Sequence, residues 1–208
     1  MLKIEWLGHS SFKLSYNNYQ IVIDPYGDNV ISGLSGVHES AHSVYCSHEH
    51  KDHNARENVN VLPFMDNPFN VSVIDSYHDD SQGSARGKNK ILILENKDMK
   101  IVHLGDIGCI PSDDEIDKLL NISVLFVPIG GHYTLNLEDT VGLVKRLNPK
   151  VLVPMHYRSD HFGPKVIGTL SEFLNLMDKE VVDYHSSSFD YDETIKSCIV
   201  VLQPKNVL

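Results

Sequence analysis

Ser47-His48-Glu49-His50-Lys51-Asp52-His53 constrains this chain more than any other stretch, because H-x-H-x-D-H puts four potential metal ligands within six residues. With 12 His in 208 residues, chance would produce the pattern only about 0.003 times, so it is a specific signal rather than a loose motif. In an extended segment residues at i, i+2 and i+4 share a side, whereas helical neighbours sit three or four apart. The spacing therefore predicts that His48, His50 and Asp52 converge from one extended turn while His53 points elsewhere. Such an arrangement suits two adjacent metal ions better than one.

The chain length fits one domain, residues 1–208, with enough residues to bury a substantial core. The charged fraction of 22% and hydrophobic fraction of 41% are those of an ordinary globular protein. No apolar run reaches the roughly 20 residues of a membrane span. Met1-Leu2-Lys3-Ile4-Glu5-Trp6 lacks the layout of a signal peptide, so a cytoplasmic location is expected. Cys46, Cys109 and Cys198 form no C-x-x-C pair, which argues against a disulfide framework or a thiolate zinc site. A net charge of −10 with scattered Lys and Arg does not suit a phosphate-tracking nucleic-acid protein. It leaves a small anionic substrate open, because bound cations would dominate the local field. No membrane partner is expected, and oligomeric state, a homo-oligomer included, is left open.

The first half reads as strands. Leu2, Ile4 and Trp6 alternate with Lys3 and Glu5, as Phe12 and Leu14 do with Lys13 and Ser15. Residues 20–25 hold an apolar run expected of a strand buried on both faces. Residues 42–47 and 71–77 are strands delivering the His cluster and His78 at their C-terminal ends. Residues 90–94 and 99–104 form a hairpin ending near Asp106. The second half alternates helices and strands. Ser112 to Glu115 is a capping box, and Asn136 caps a helix carrying Val141, Val144 and Leu147. Residues 151–154 are a strand leading to His156. Gly163-Pro164 is read as the start of a long helix through about Met177, with Val166, Leu170, Phe173 and Leu174 on its apolar face. Residues 198–202 close the chain as a strand. This layout fits two sheets packed together with helices outside. Strand ends at one edge of a core are where a scaffold gathers a site, and imidazoles with carboxylates suit zinc.

Nearly the whole chain resembles the metallo-β-lactamase superfamily, and more closely its small hydrolases related to L-ascorbate-6-phosphate lactonase. The resemblance rests on Gly8-His9-Ser10-Ser11, Ile23-Asp24-Pro25, the His cluster, Tyr77-His78-Asp79 and Arg86-Gly87-Lys88-Asn89. It continues through His103-Leu104-Gly105-Asp106, Val127-Pro128-Ile129-Gly130-Gly131 and Pro154-Met155-His156-Tyr157. It implies an α+β, four-layer αβ/βα sandwich of two mixed sheets flanked by helices. It assigns His48, His50 and His78 to a first ion and Asp52, His53 and His156 to a second, with Asp106 bridging. The implied activity is hydrolysis of a small ester, lactone or phosphoester by a bridging hydroxide at a dinuclear site, with zinc or manganese as the ions. Asp52 would ligate and orient the nucleophile. Glu49 departs from the family pattern without touching the ligand set, and Gly131-His132 departs from it after the Pro-Ile-Gly segment, which leaves the role of His132 open.

Outside that set, His9 follows a strand and Gly8, which suits either a proton donor or oxyanion partner or a turn-stabilising role. Arg86, Lys88 and Asn89 lie in a polar loop that could grip an anion or remain solvated. His132 and Tyr157 are read as candidate substrate contacts beside Arg86 and Asn89, and Tyr133, Tyr157 and Arg158 follow strand ends that border the expected pocket. A phosphodiesterase or nuclease of the same superfamily, and a metal-binding protein without turnover, are the alternatives. The missing helical domain disfavours glutathione thioester hydrolysis. A His in place of Glu within the cluster disfavours flavin-linked oxygen reduction.

Overall fold

The computed structural model describes all 208 residues. The first half forms β1 (Leu2–Gly8), β2 (Ser11–Tyr16), β3 (Tyr19–Ile23), β4 (Glu39–Ala41), β5 (Ser43–Tyr45), β6 (Val59–Val61), β7 (Asn70–Tyr77), β8 (Lys88–Glu95) and β9 (Lys100–His103). The second half forms α1 (Asp113–Leu119), β10 (Val124–Pro128), α2 (Leu137–Leu147), β11 (Val151–Met155), α3 (Leu170–Leu174), β12 (Val181–Asp183), β13 (Ser188–Tyr191) and β14 (Cys198–Val201). A five-stranded sheet runs β13-β1-β2-β3-β5 and a seven-stranded sheet β12-β14-β11-β10-β9-β8-β7, with β4 and β6 as a small separate pair. Both large sheets are mixed, giving the α+β sandwich expected from the sequence. No helix is long and apolar enough to cross a membrane.

Local chemistry explains most of these elements. Asn17 and Asn18 both adopt positive φ (50° and 66°) between β2 and β3, the conformation a two-residue hairpin of matching twist requires. Leu2, Ile4 and Trp6 are buried between outward-facing Lys3 and Glu5. On β3, Ile21 and Ile23 join the main core. Val22 faces a smaller cluster with Leu7, Tyr26, Ile31, Leu34 and Val37. The strand is thus covered on both sides, and irregular chain rather than a helix covers its outer side over 26–37. Phe12 on β2 meets Phe126 on β10 at 4.2 Å between ring centroids, which ties the two sheets together.

β9, β10 and β11 are parallel neighbours joined through α1 and α2. Successive right-handed crossovers in one direction put both helices on one face of the sheet and leave the other free to meet the first sheet. The capping box of Ser112 and Glu115 opens α1, and the Asn136 side chain accepts from the Asp139 amide at 2.9 Å to open α2.

The long helix from Gly163 is not formed. Residues 164–168 are held as a turn by the Gly168 amide on Gly130 O (2.7 Å) and by Arg158 Nε on Ile167 O (2.8 Å). Ile167 is buried while Val166 is exposed. The helix begins only at Leu170, where Thr169 and Glu172 form a second capping box. A reciprocal cap satisfies orphan amides that Gly163-Pro164 leaves open, so it sets the start. The sequence reading also passed over β13, which pairs antiparallel with β1.

Chain direction fixes the place of the site. β7, β9 and β11 run the same way, because β8 is antiparallel to both of its neighbours. In the first sheet β1, β3 and β5 likewise share a direction. The C-terminal ends of β1, β3 and β5 therefore share one edge of the first sheet, and those of β7, β9 and β11 one edge of the second, the placement that lets loops build a site on a rigid frame.

Candidate metal centre

The β1–β2 turn supplies His9 and Ser10, and the end of β3 supplies Asp24. The segment after β5 supplies His48 to His53, and the ends of β7, β9 and β11 supply His78, Asp106 and His156. His9, Asp24 and His156 all adopt left-handed φ (51°, 48° and 53°). Such strain in non-glycine residues persists only where the surroundings fix it, and it gathers at functional sites. A Cβ on Gly8 would lie 2.5 Å from the Tyr26 hydroxyl, so only glycine brings the chain into this turn.

Two groups of ligand atoms result, each with all members within 4.8 Å of one another: His48, His50 and His78, and His9, Asp52, His53, Asp106 and His156. Asp106 Oδ2 joins them, lying 3.2 Å from His53 Nε2, 3.1 Å from His156 Nε2 and 3.3 Å from His78 Nε2. The extended turn inferred from spacing is replaced by bends and a tight turn closed by the His53 amide on His50 O at 2.9 Å. That turn separates His48 and His50 from Asp52, and it swings His53 fully inside. His50 is exposed, whereas every member of the second group except Asp52 is buried.

The buried ring nitrogens test whether ions fit. His48 Nε2 is sealed from solvent and has no hydrogen-bond partner, and His53 Nε2, equally sealed, meets only carboxylate oxygens, Asp106 Oδ2 at 3.2 Å among them. Orphaned buried polar atoms are rare and call for a ligand, and imidazole nitrogens beside carboxylates are the donors zinc and manganese take. Burial, with the nearby charge of His53, pushes His48 down to about 3, leaving it neutral and able to coordinate. Burial would also lower His53, but the carboxylates of Asp106 and Asp24 outweigh it and hold this imidazole well above its usual value. Burial would raise Asp106 and Asp52, yet the surrounding histidines keep both carboxyls ionised. A site that holds a proton among carboxylates is one from which a cation displaces it.

Around the ligands lies a set of fixed partners. Asp24 accepts from the Ser47 amide and hydroxyl, each at 2.6 Å, and from His53 Nδ1 at 2.8 Å. Ser47 Oγ also lies 3.0 Å from His48 Nδ1. Asp106 is held by its amide on Asn89 Oδ1 (3.0 Å), while Asn89 Nδ2 donates to Leu104 O (2.9 Å). Ser10 Oγ donates to Asp106 Oδ1 at 3.4 Å. Sequence reading missed these roles for Asp24, Ser47 and Ser10. The only local signal was a strand ending in Ile23-Asp24-Pro25.

A cavity of about 280 Å³ opens onto His50, Asp52, His78, Asp106 and His156, with Arg86 and Tyr133 on its wall. Arg86 lies 5.7 Å over the Tyr133 ring. The loop that presents it is organised by Asp79, whose carboxylate accepts from the amides of Ser81, Gly83, Ala85 and Arg86. The other expected substrate contacts lie elsewhere. Asn89 is fully buried beneath Asp106. Tyr157 packs in the core 5.2 Å from Trp6, because its position after β11 turns it inward. His132 is exposed outside the cavity, with its ring edge-on to Tyr133 at 4.6 Å.

A family model described as a beta-lactamase superfamily domain matches residues 3–156, a span that contains every ligand above. The chain belongs to the metallo-β-lactamase superfamily. A metal-dependent hydrolase of the UPF0173 family from Caldivirga maquilingensis is 24% identical over 207 aligned positions, covering 83% of this chain and 88% of that one. A crystal structure from Thermotoga maritima, described as a Zn-dependent hydrolase of the superfamily, is 27% identical with a TM-score of 0.74, covering 97% and 98%. A metallo hydrolase from Ignicoccus hospitalis shares the fold at 20% identity and a TM-score of 0.64, covering 92% and 99%.

Proposed function

We propose that this member of a family of metal-dependent hydrolases cleaves a small ester, lactone or phosphoester at a two-ion site. His48, His50 and His78 would hold one ion and Asp52, His53 and His156 the other, with Asp106 shared. The observation that carries this reading is Asp106 Oδ2, which reaches imidazoles of both groups at 3.1–3.3 Å. Two divalent ions, zinc or manganese, would supply an activated water at neutral pH and polarise the attacked oxygen.

The chain's own residues do the rest. Asp52 lines the cavity as an ionised carboxylate, placed to accept a hydrogen bond from an attacking water and aim its lone pair. Asn89 holds the backbone amide of Asp106 and Ser10 its carboxylate, so that geometry is set before substrate arrives. Arg86 offers a planar fork suited to a carboxylate or phosphate on the substrate. A second cavity of about 450 Å³ shares His78 and Arg86 with the first, giving room for a small molecule.

Elemental analysis of the purified protein, run beside a screen of lactones, phosphodiesters and simple esters, tests the reading. Two ions per chain with chelator-sensitive turnover, abolished in Asp106→Asn, is the expected result. Turnover that survives both metal removal and Asp106→Asn would overturn it.

A further inference from the structure

We propose that His9 is a ligand of the second ion, through Nε2, rather than a proton donor. This rests on the two-ion reading above and adds a donor to it.

Both ring nitrogens of His9 are buried and without a hydrogen-bond partner. A turn-stabilising histidine would spend at least one of them on the turn. Here the backbone does that work instead, since His9 O accepts from Trp6 Nε1 at 3.0 Å and from the His156 amide at 3.2 Å. The ring is left free and aimed at the site. Its Nε2 lies 3.4 Å from Asp52 Oδ2, and its centroid lies 4.2 Å from that of His156 and 5.3 Å from that of His53. All ligand atoms of His9, Asp52, His53, Asp106 and His156 fall within 4.8 Å of one another, the spread that donors around a single ion occupy.

A proton donor would face the substrate cavity. The wall of that cavity contains Asp52, Asp106 and His156 but not His9, which is only 2% exposed. The left-handed backbone at His9, φ 51°, is kept for a reason that the turn alone does not give, because Gly or Asn would adopt it with less strain. The two ions are then unequal. The first has three imidazoles and Asp106, with His50 at the solvent side. The second has three imidazoles and two carboxylates, all buried except Asp52. A donor set of five exceeds the four of a tetrahedral zinc site, so the second position suits an ion that accepts higher coordination, manganese among them.

His9→Gly and His9→Asn both accommodate the positive φ, so the turn survives while the ring is lost. Metal-free wild-type and variant proteins, checked for folding by circular dichroism, are titrated with Zn²⁺ and with Mn²⁺ by calorimetry. The expected result is one ion bound as in wild type and a second weakened by about 10–100-fold or more, since even outer partners of metal ligands cost that much. Free imidazole should restore the second ion to His9→Gly. A second measurement needs no variant: the ¹⁵N resonance of His9 Nε2 in wild type should shift as the second equivalent binds. Two ions held equally tightly in the variants, or an unmoved His9 resonance, overturns the proposal while leaving two-ion hydrolysis intact. A wild-type protein that takes up only one ion overturns both.

Discussion

Asp24 Oδ2 lies 2.8 Å from His53 Nδ1, with both side chains wholly sealed from solvent. The contact keeps a proton on His53 Nδ1, so the proton that an incoming ion displaces is the one on Nε2, facing Asp106. The same carboxylate holds Ser47, whose hydroxyl touches His48 Nδ1, so one residue orients a ligand in each group. Asp24→Asn keeps the shape but removes the charge and lets the amide present a donor to His53. Metal affinity should fall about 10–100-fold, read by competition with a chromogenic chelator, with turnover falling in step at limiting metal. Unchanged affinity would show that His53 orients itself.

Asp106 is the one carboxylate between both groups. Asp106→Ala should lose turnover on any true substrate and bind fewer than two ions, while its circular dichroism matches wild type. Asp52→Ala should differ in kind. It removes one donor and the group placed to orient water, so kcat should drop even at metal concentrations that restore two ions. Elemental analysis and kinetics on the same samples separate the two effects.

How much of this was legible in the sequence depends on how far each role reaches along the chain. The run from His48 to His53 announced itself because four donors share one short segment. His78, Asp106 and His156 stood out as candidates because each follows a strand, and strand ends are readable from periodicity, but it was the resemblance to the superfamily that assigned them as ligands. Asp24 and Ser10 were not legible as partners of the site. Their roles exist only where residues 29 and 96 positions apart meet, which no local pattern encodes. Asn89 and Tyr157 misled for the opposite reason. Polar residues beside a motif look like substrate contacts, but whether a side chain faces the cavity or the core depends on register and turn geometry. For α3, the signal Thr169-x-x-Glu172 was present in the sequence, and Gly163-Pro164 drew the start six residues too early.

Metal binding should depend on pH in a direction that follows from the cluster. In the metal-free protein His53 is raised well above 6.5, and His78 is raised too, burial being outweighed in both by Asp106. Each must lose its proton before its nitrogen can coordinate, so apparent affinity falls as pH drops, by up to about tenfold per unit for each proton displaced. Stability of the metal-free protein runs the other way for His53. A raised native value contributes fully below the unfolded value near 6.5 and is lost as pH rises through the native one. Chelator-treated protein should therefore lose Tm on the alkaline side relative to metal-loaded protein. Parallel Tm–pH curves for the two forms would contradict this.

Arg86 should govern substrate affinity rather than the chemical step. Its guanidinium lies over Tyr133 on the cavity wall and contacts none of the ligands. Arg86→Gln should raise KM for substrates bearing a carboxylate or phosphate by about ten- to a hundredfold, the range of a charged hydrogen bond, with kcat little changed. Neutral esters should be unaffected, which makes the ratio of the two KM changes the deciding measurement. Arg86→Lys should recover only part of the loss, because an ammonium lacks the planar fork and stacks poorly on the ring.

Phe126 links stability to the site without entering it. It is fully buried on β10, meets Phe12 across the sheet interface at 4.2 Å and lies 5.7 Å from the His103 ring. His103 Nε2 in turn lies 2.8 Å from Ser10 O, in the turn that carries His9. Phe126→Ala opens a cavity between the sheets and should cost about 3–5 kcal/mol, or roughly 10 °C in Tm for a chain of this size. Metal saturation at low temperature should still reach two ions, because no ligand rests on Phe126 directly. A variant that unfolds at the wild-type temperature would mean that the sheets are held together elsewhere.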